Sequence, residues 1–210
     1  MDGVIINSEP VFKNAIIQMM KEKYGIILNS SIIKQTRGLR DLELFELFIK
    51  TFNLKENFNT FIDNKNKYFF NAAQESDFVF VNAHNIINKL SEKYTLALAT
   101  SAQEEKFKFE SQYFDINKFK VVITGKDVKK GKPNPEIYSL AIEKLNIKSN
   151  ECIVIEDALK GVISAKNAGI KCIAVETSFS KNELKKAGAD LTIKDISKLN
   201  KKLIDSLSKK

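Results

Sequence analysis

The segment of residues 121–175 constrains the fold of this chain more than any other part of the sequence. Three runs rich in β-branched residues (121–124, 152–155 and 171–175) are separated by two segments with helical periodicity. The order strand, helix, strand, helix, strand describes two successive βαβ units, whose strands lie parallel because each crossover returns the chain to the same end of the sheet. The sequence therefore predicts an α/β fold built on a parallel sheet.

Charged side chains follow two of these predicted strands. Lys132 lies in the loop after the first strand, and the pair Glu156 and Asp157 ends the second. Open parallel sheets bind ligands at the carboxyl ends of their strands, so we expect a cation and two carboxylates in one site. Adjacent carboxylates repel each other unless a cation lies between them, and hard oxygen ligands suit Mg²⁺. Asp157 alone could instead cap a helix that begins at Ala158.

Thr100 adds a hydroxyl at a third strand end. It closes a predicted strand at residues 95–100, and Ser101 with Glu104 has the spacing of a capping box that opens the next helix. The backbone N–H groups and the dipole at a helix amino terminus attract an anion. A hydroxyl, a lysine and a carboxylate pair at strand ends of one sheet together predict a site for an anion and a metal.

Helical patterns dominate the chain between the first residues and the sheet. Ser8 and Pro10 favour a helix start, and amphipathic patterns follow up to Gly25, in residues 40–52 and in residues 56–73. We therefore expect a helical module at residues 11–79, inserted into a core of residues 1–10 and 80–210.

Composition limits the classes of protein to which the chain can belong. Its 210 residues are 43% hydrophobic and carry a net charge of +8, but the lysines are scattered and no nucleic-acid-binding signature is present. No apolar run approaches a membrane span, and the first residues are acidic and polar, so a cytoplasmic protein that binds neither nucleic acid nor membrane is expected. Cys152 and Cys172 fall in predicted strands, which favours reduced thiols in the core.

Four motifs, in order along the chain, resemble those of the haloacid dehalogenase superfamily, in particular its helical-capped phosphatases and β-phosphoglucomutase relatives. They are Asp2-Gly3-Val4-Ile5-Ile6-Asn7-Ser8-Glu9-Pro10, Ala97-Leu98-Ala99-Thr100-Ser101, Gly131-Lys132-Pro133-Asn134-Pro135 and Ile155-Glu156-Asp157-Ala158. The resemblance implies a Rossmann-like three-layer core with a parallel sheet, an inserted α-helical cap, a Mg²⁺ cofactor and phosphoryl transfer through an aspartyl-phosphate.

The resemblance also implies roles for individual residues. Asp2 matches the general acid/base, whose backbone carbonyl binds the metal, and Lys132 matches the cation that offsets the charge of the phosphoryl group. Thr100, with Ser101 beside it, matches the hydroxyl motif that binds the substrate phosphate. Asp157, with Glu156, matches the metal-binding acidic motif. In the cap, Arg40 is a candidate for binding the distal part of the substrate, and a surface role is the alternative.

The first motif departs from the family pattern Asp-x-Asp-Gly, because Met1 occupies the middle position. The nucleophilic aspartate would lie directly before Met1, together with most of the first strand. Either the sequence starts too late or the chain is a variant that cannot form the phosphoenzyme, and the first alternative is favoured. A polypeptide that begins at Met1 is expected to be inactive.

The expected function is that of a monomeric phosphatase that acts on a small phosphorylated metabolite such as a sugar phosphate. Phe12 stands near the position where β-phosphoglucomutase carries a histidine, which favours a phosphatase over a mutase. A phosphosugar mutase is the enzymatic alternative, and a pseudoenzyme that binds phosphate or a partner is the non-catalytic one.

Overall fold

The computed structural model of the chain describes residues 1–36, 39 and 41–208. These residues divide into two compact units. Unit 1 contains residues 1–7 and the described chain from Val79 onward, and unit 2 is the segment Ser8–Phe78. Each unit has a hydrophobic core of its own.

In the described residues of unit 2, helices are the only regular secondary structure. Its helices are α1 (Ser8–Tyr24), α2 (Ser30–Gln35), α3 (Asp41–Phe52) and α4 (Phe58–Gln74). The helix α1 ends where the sequence predicts, because Gly25 adopts a φ of +67° that a residue with a side chain rarely adopts. Phe48 and Phe61 are fully buried, and their rings meet edge to face with centroids 5.9 Å apart. The phenylalanines of the predicted helices thus form the core of this unit.

Unit 1 alternates strands and helices. Its elements are α5 (Ala83–Ser91), β1 (Leu96–Ala99), α6 (Glu104–Glu110), β2 (Phe119–Ile123), α7 (Glu136–Leu145), β3 (Ile153–Glu156), α8 (Leu159–Asn167), β4 (Lys171–Val175), α9 (Lys181–Lys186), β5 (Leu191–Ile193) and α10 (Lys201–Ser208). All strand pairs are parallel. The predicted α/β fold with parallel strands is therefore confirmed, and α7 and α8 pack on the strands through a shared apolar core.

The strands form two sheets instead of the single sheet expected from the sequence. One contains β1 and β2 and the other contains β3, β4 and β5 in that order. Within the described residues, β1 and β3 each have an edge that pairs with no strand. Both sheets nevertheless contribute to one core, which includes Ile123 of β2 and Cys172 of β4.

Residues 1–6 form a turn instead of the end of a strand. The N–H groups of Val4, Ile5 and Ile6 all donate to the carbonyl of Met1, at 3.2, 2.8 and 3.1 Å. Ile6 makes only isolated bridges, to Asp2 and Val79. The N–H groups of Val4, Ile5 and Ile6 are therefore satisfied locally and are not available to a neighbouring strand.

Both cysteines are free, as predicted, although Cys152 is only half-buried whereas Cys172 is fully buried.

None of the helices in the described residues combines the length and the hydrophobicity needed to span a bilayer.

Candidate active site

Most of the predicted site residues lie at or beyond the carboxyl ends of parallel strands in unit 1. Thr100 follows β1, Glu156 is the last residue of β3, and Asp157 comes next. Lys132 lies in the loop between β2 and α7. Asp2 belongs to the turn of residues 1–6. Parallel topology therefore positions polar groups at one end of each sheet, where such folds bind ligands.

Lys132 and Glu156 form a buried ion pair. Nζ of Lys132 lies 2.6 Å from Oε1 of Glu156, and the two side chains are only 14% and 8% exposed. The hydroxyl of Tyr138 donates to the same oxygen at 3.1 Å, and Nζ of Lys132 lies 5.0 Å from the centroid of the Tyr138 ring. The second oxygen of Glu156 accepts from the backbone N–H groups of Asp157 and Ala158 at 2.7 and 2.8 Å. Both carboxylate oxygens are thus engaged by protein donors.

These contacts shift the pKa values of Glu156 and Tyr138 in opposite directions. Burial opposes ionisation of Glu156, but the charge of Lys132 and the backbone donors prevail and lower the pKa of Glu156 to about 2. Burial and the charge of Glu156 raise the pKa of Tyr138 well above its ordinary value, so its hydroxyl remains a donor. At neutral pH Glu156 is therefore a carboxylate and Tyr138 a neutral phenol.

Gly161 provides the space that the Glu156 carboxylate occupies. A Cβ atom at Gly161, in the first turn of α8, would lie 2.0 Å from Oε1 of Glu156. No larger residue fits at this position while Glu156 keeps its place. The close approach explains why α8 carries a glycine here in spite of the cost of glycine in a helix.

Asp157 lies against the turn that contains Asp2. A Cβ atom at Gly3 would lie 1.9 Å from Oδ2 of Asp157, so the backbone of the turn touches the carboxylate. The Ser178 hydroxyl donates to the same oxygen, and Thr177 Oγ1 donates to the carbonyl of Gly3 at 2.6 Å. Burial, followed by the charge of Glu156, raises the pKa of Asp157 to about 7. The side chain does not cap α8, whose N-cap residue is Ala158 without a side-chain bond.

Asp2 is held by residues that the sequence did not single out. The Lys106 ammonium contacts Oδ1 of Asp2, and it also lies 2.8 Å from Oε1 of Glu110. Glu110 is fully buried, and within the described residues neither of its oxygens accepts a hydrogen bond of good geometry. Burial, and then the charge of Asp2, raise the pKa of Glu110 to about 7. Lys106 and Glu110 are one turn apart on α6, a spacing typical of exposed helix pairs, so the sequence alone gave no sign of this role.

The loop that carries Lys132 is tied to two helices. Both oxygens of Glu136, the first residue of α7, accept from the backbone N–H groups of Lys129 and Lys130 at 2.7 and 2.9 Å. The buried hydroxyl of Ser164 donates to the carbonyl of Asn134 at 2.7 Å. The side chain of Asn134 accepts from the N–H of Glu136 at 3.0 Å. These bonds restrict the backbone from which the Lys132 side chain extends.

Thr100 is buried at the end of β1, and its hydroxyl accepts from the N–H of Ala102 at 3.1 Å. The carbonyl of Ala102 in turn accepts from the N–H of Gly125 at 3.0 Å. These bonds hold residues 100–103 as a loop, so α6 begins only at Glu104 and its N-cap is Gln103. The predicted capping box of Ser101 and Glu104 is therefore wrong, and Ser101 is exposed.

The structure thus brings some of the predicted site residues into contact and leaves others apart. Glu156 contacts both Lys132 and the backbone of Asp157, and Gly3 brings the Asp2 turn against Asp157. Thr100 lies at the end of a strand in the other sheet. The predicted cap residue Arg40 lies outside the described residues.

The acidic residues of the site supply only some of the ligands that a divalent cation requires. Among the described residues, no three His, Cys, Asp or Glu side chains are grouped so that they could hold a metal ion. Glu156 is turned toward Lys132, whereas Asp157 is a buried carboxyl group crowded by the negative charges of Glu156 and Asp2. A hard cation such as Mg²⁺ would relieve this crowding, and it would complete its coordination with water or ligand oxygens, as Mg²⁺ usually does.

Known proteins resemble the chain along nearly its whole length. The family model of haloacid dehalogenase-like hydrolases matches residues 1–175. A phosphorylated carbohydrates phosphatase of Thermotoga maritima is 31% identical over 95% of this chain and 94% of its own. The crystal structure of a HAD hydrolase from Entamoeba histolytica superposes with a TM-score of 0.86 at 26% identity, over 100% of this chain and 97% of that one. A β-phosphoglucomutase of Clostridium difficile shares the fold, with a TM-score of 0.79 at 21% identity over 99% and 94%.

The motifs, the parallel α/β unit and the cluster at its strand ends agree with these similarities. The family match extends from the Asp2 motif through the acidic motif to the end of β4. The chain therefore belongs to the haloacid dehalogenase-like hydrolase family.

Proposed function

We propose that the protein is a Mg²⁺-dependent phosphatase that hydrolyses a small phosphorylated metabolite, such as a sugar phosphate, through an aspartyl-phosphate. The observation that carries the proposal is the buried cluster of Lys132, Glu156 and Asp157 against the Asp2–Gly3 turn. The 31% identity with a phosphatase for phosphorylated carbohydrates supports the choice of substrate class. Unit 2 is proposed to act as the cap that selects the substrate.

Phosphoryl transfer requires charge neutralisation and alignment more than covalent chemistry from the protein. The Lys132 ammonium offsets negative charge on the phosphoryl oxygens, and the Thr100 hydroxyl hydrogen-bonds to one of them. Asp2 transfers a proton to the leaving oxygen and then takes one from the attacking water. Asp157 and the Asp2 carbonyl would hold Mg²⁺, which would supply further charge stabilisation.

The nucleophile is proposed to be an aspartate directly before Met1, at the end of an additional parallel strand. Two features support this assignment: Asp2 matches the second aspartate of the family motif, and β1 and β3 each have an edge that pairs with no strand among the described residues. A carboxylate nucleophile divides the reaction into two displacements, each easier than direct attack by water. Without that aspartate the phosphoenzyme cannot form.

The experiment compares the chain beginning at Met1 with the protein extended by the residues encoded upstream. Release of phosphate from p-nitrophenyl phosphate is measured with and without Mg²⁺. We expect turnover only in the extended protein and only with Mg²⁺, and Lys132→Met in that protein should lower kcat by about a hundredfold or more. Equal turnover by the chain that begins at Met1 would refute the assignment of the nucleophile. Absence of turnover from the extended protein, on p-nitrophenyl phosphate and on a set of sugar phosphates, would refute the proposed function.

A further inference from the structure

Lys132 can act on a phosphoryl group only if its ammonium is held in place. A lysine side chain has four rotatable methylene groups and loses considerable conformational entropy when it is fixed. In this structure its ammonium has two defined contacts, the carboxylate of Glu156 at 2.6 Å and the face of the Tyr138 ring at 5.0 Å. Both distances lie within the range of attractive interactions for a cation.

Tyr138 is well placed to orient this ammonium. It is the third residue of α7 and is buried in the core of unit 1, so its ring has little freedom to move. Its hydroxyl donates to Oε1 of Glu156 at 3.1 Å, which is the oxygen that also contacts Lys132. One side chain therefore contacts both members of the ion pair, the lysine through its ring and the glutamate through its hydroxyl.

The hydrogen bonds of Glu156 indicate what this carboxylate does. Oε1 accepts from Lys132 and Tyr138, and Oε2 accepts from the N–H groups of Asp157 and Ala158. Gly161 leaves just enough space for the carboxylate in this orientation. A carboxylate satisfied by four protein donors is suited to orient its lysine partner and is poorly suited to bind a metal ion directly.

We propose that Tyr138 and Glu156 are positioning residues, which hold the Lys132 ammonium at the strand ends where the phosphoryl group binds, and that Glu156 contributes through Lys132 and not as a metal ligand. The inference rests on the proposed function for the role of Lys132. The orientation of the ammonium itself is a property of the folded chain and can be tested without a substrate.

The first test measures the accessibility of Lys132 by competitive reductive methylation with formaldehyde and cyanoborohydride, read by peptide mass spectrometry. Exposed Lys120 serves as the internal standard. Tyr138→Phe removes the hydroxyl and keeps the ring, and we expect it to raise the methylation rate of Lys132 by about fivefold, as for the loss of one hydrogen bond of ordinary strength. Tyr138→Leu removes the ring as well and should raise the rate further.

The control for this test is Tyr94→Phe, which removes a tyrosine–carboxylate contact to Asp205 elsewhere in unit 1. It should leave the labelling of Lys132 unchanged. Thermal melting of each variant shows whether the fold is retained. If Tyr138→Leu does not fold, the methylation rate of Lys132 in Tyr138→Phe alone tests the inference. Labelling of Lys132 that is the same in Tyr138→Phe and in the unmodified protein would overturn the inference.

The second test asks whether Glu156 positions Lys132 or binds the metal ion. Calorimetry measures the binding of Mg²⁺ alone and the binding of inorganic phosphate in the presence of Mg²⁺. Tyr138→Phe and Glu156→Gln should weaken phosphate binding by about fivefold or more and leave the Kd for Mg²⁺ within about twofold. A large loss of Mg²⁺ affinity in Glu156→Gln with unchanged phosphate affinity would show that Glu156 is a metal ligand and overturn the inference. If phosphate binding is absent in the extended protein and Lys132→Met changes nothing, the proposed function fails, and the methylation rates still decide whether Lys132 is positioned.

Discussion

Single residues of the candidate site owe their placement to very close contacts. Gly3 and Gly161 touch the carboxylates of Asp157 and Glu156 at distances that exclude any side chain. The sequence displays both glycines, but no pattern in it indicates which carboxylate each one meets. Gly3 meets Asp157 because the chain folds two distant segments against each other, whereas Gly161 meets Glu156 across the start of α8. The close contacts make each glycine a sensitive test of the site.

We predict that Gly161→Ala displaces the Glu156 carboxylate and with it the Lys132 ammonium. In the active protein kcat should fall by about a hundredfold, the scale on which a misplaced catalytic group lowers rate. The free energy of unfolding should fall by about 1–3 kcal/mol because of overpacking. Phosphate release and urea denaturation check the two effects. Gly131→Ala is the control for stability, since a Cβ atom at Gly131 meets nothing within 4 Å. Equal kcat in Gly161→Ala and the unmodified protein would show that Glu156 tolerates displacement.

At the scale of elements, short polar contacts tie the helices to the strands. Asp190, just before β5, accepts from the N–H of Cys172 in β4 at 2.7 Å and from Nζ of Lys166 in α8 at 2.8 Å. At the start of α9, Ser180 and Glu183 form a capping box, whose residue types and spacing are visible in the sequence. A capping box can be recognised in a sequence because its two partners are three residues apart. The partners of Asp190 lie 18 and 24 residues away, so no sequence pattern indicates them.

The Asp190 contacts predict a dependence of stability on pH. Burial opposes ionisation, but the Lys166 ammonium and the Cys172 N–H prevail and lower the pKa of Asp190 below its ordinary value. A carboxyl group with a lowered pKa in the folded state stabilises the protein above its unfolded pKa of about 3.9, and this contribution is lost as the pH falls through the folded pKa. Asp190→Asn should therefore lower the free energy of unfolding by about 1–2 kcal/mol at pH 7.

Urea denaturation at pH 7 and at acid pH tests this linkage. The difference between Asp190→Asn and the unmodified protein should shrink as the pH falls below about 4. Asp63→Asn, at an exposed position of α4, should show no such difference at either pH. A stability difference for Asp190→Asn that is independent of pH would show that the lost contact is not that of an ionised carboxylate.

For the molecule as a whole, the chain supplies two hydrophobic cores of different kinds. The core of unit 1 is dominated by β-branched and small residues of parallel strands and their crossover helices, and that of unit 2 by methionine, leucine and phenylalanine, mostly on helices. The helical periodicity predicted the second set well, because a helix buries a stripe of residues whatever its partner is.

We predict that Phe61→Ala destabilises unit 2 by about 3–5 kcal/mol, the usual cost of deleting a buried aromatic ring. Phe61 is fully buried, and its ring contacts those of Phe45 and Phe48. Hydrogen exchange of the amides in α1, α3 and α4 is the measurement, and faster exchange in all three is expected. Phe58→Leu, at the start of α4, is a milder control. Unchanged protection in Phe61→Ala would mean that this core reorganises around the cavity.

The sequence by itself determined the parallel strands, the helices between them, the helical segment after the first motif and the residues that mark the family. It could do so because these features depend on local periodicity, on turn residues and on short motifs. Only the tertiary structure decided that the strands form two sheets, that residues 1–6 turn back on themselves, and that Tyr138, Lys106 and Ser178 contact the predicted site residues. These outcomes depend on which distant groups meet in the folded chain, since an edge strand or a buried carboxylate is satisfied by whatever donor or acceptor the packing brings to it.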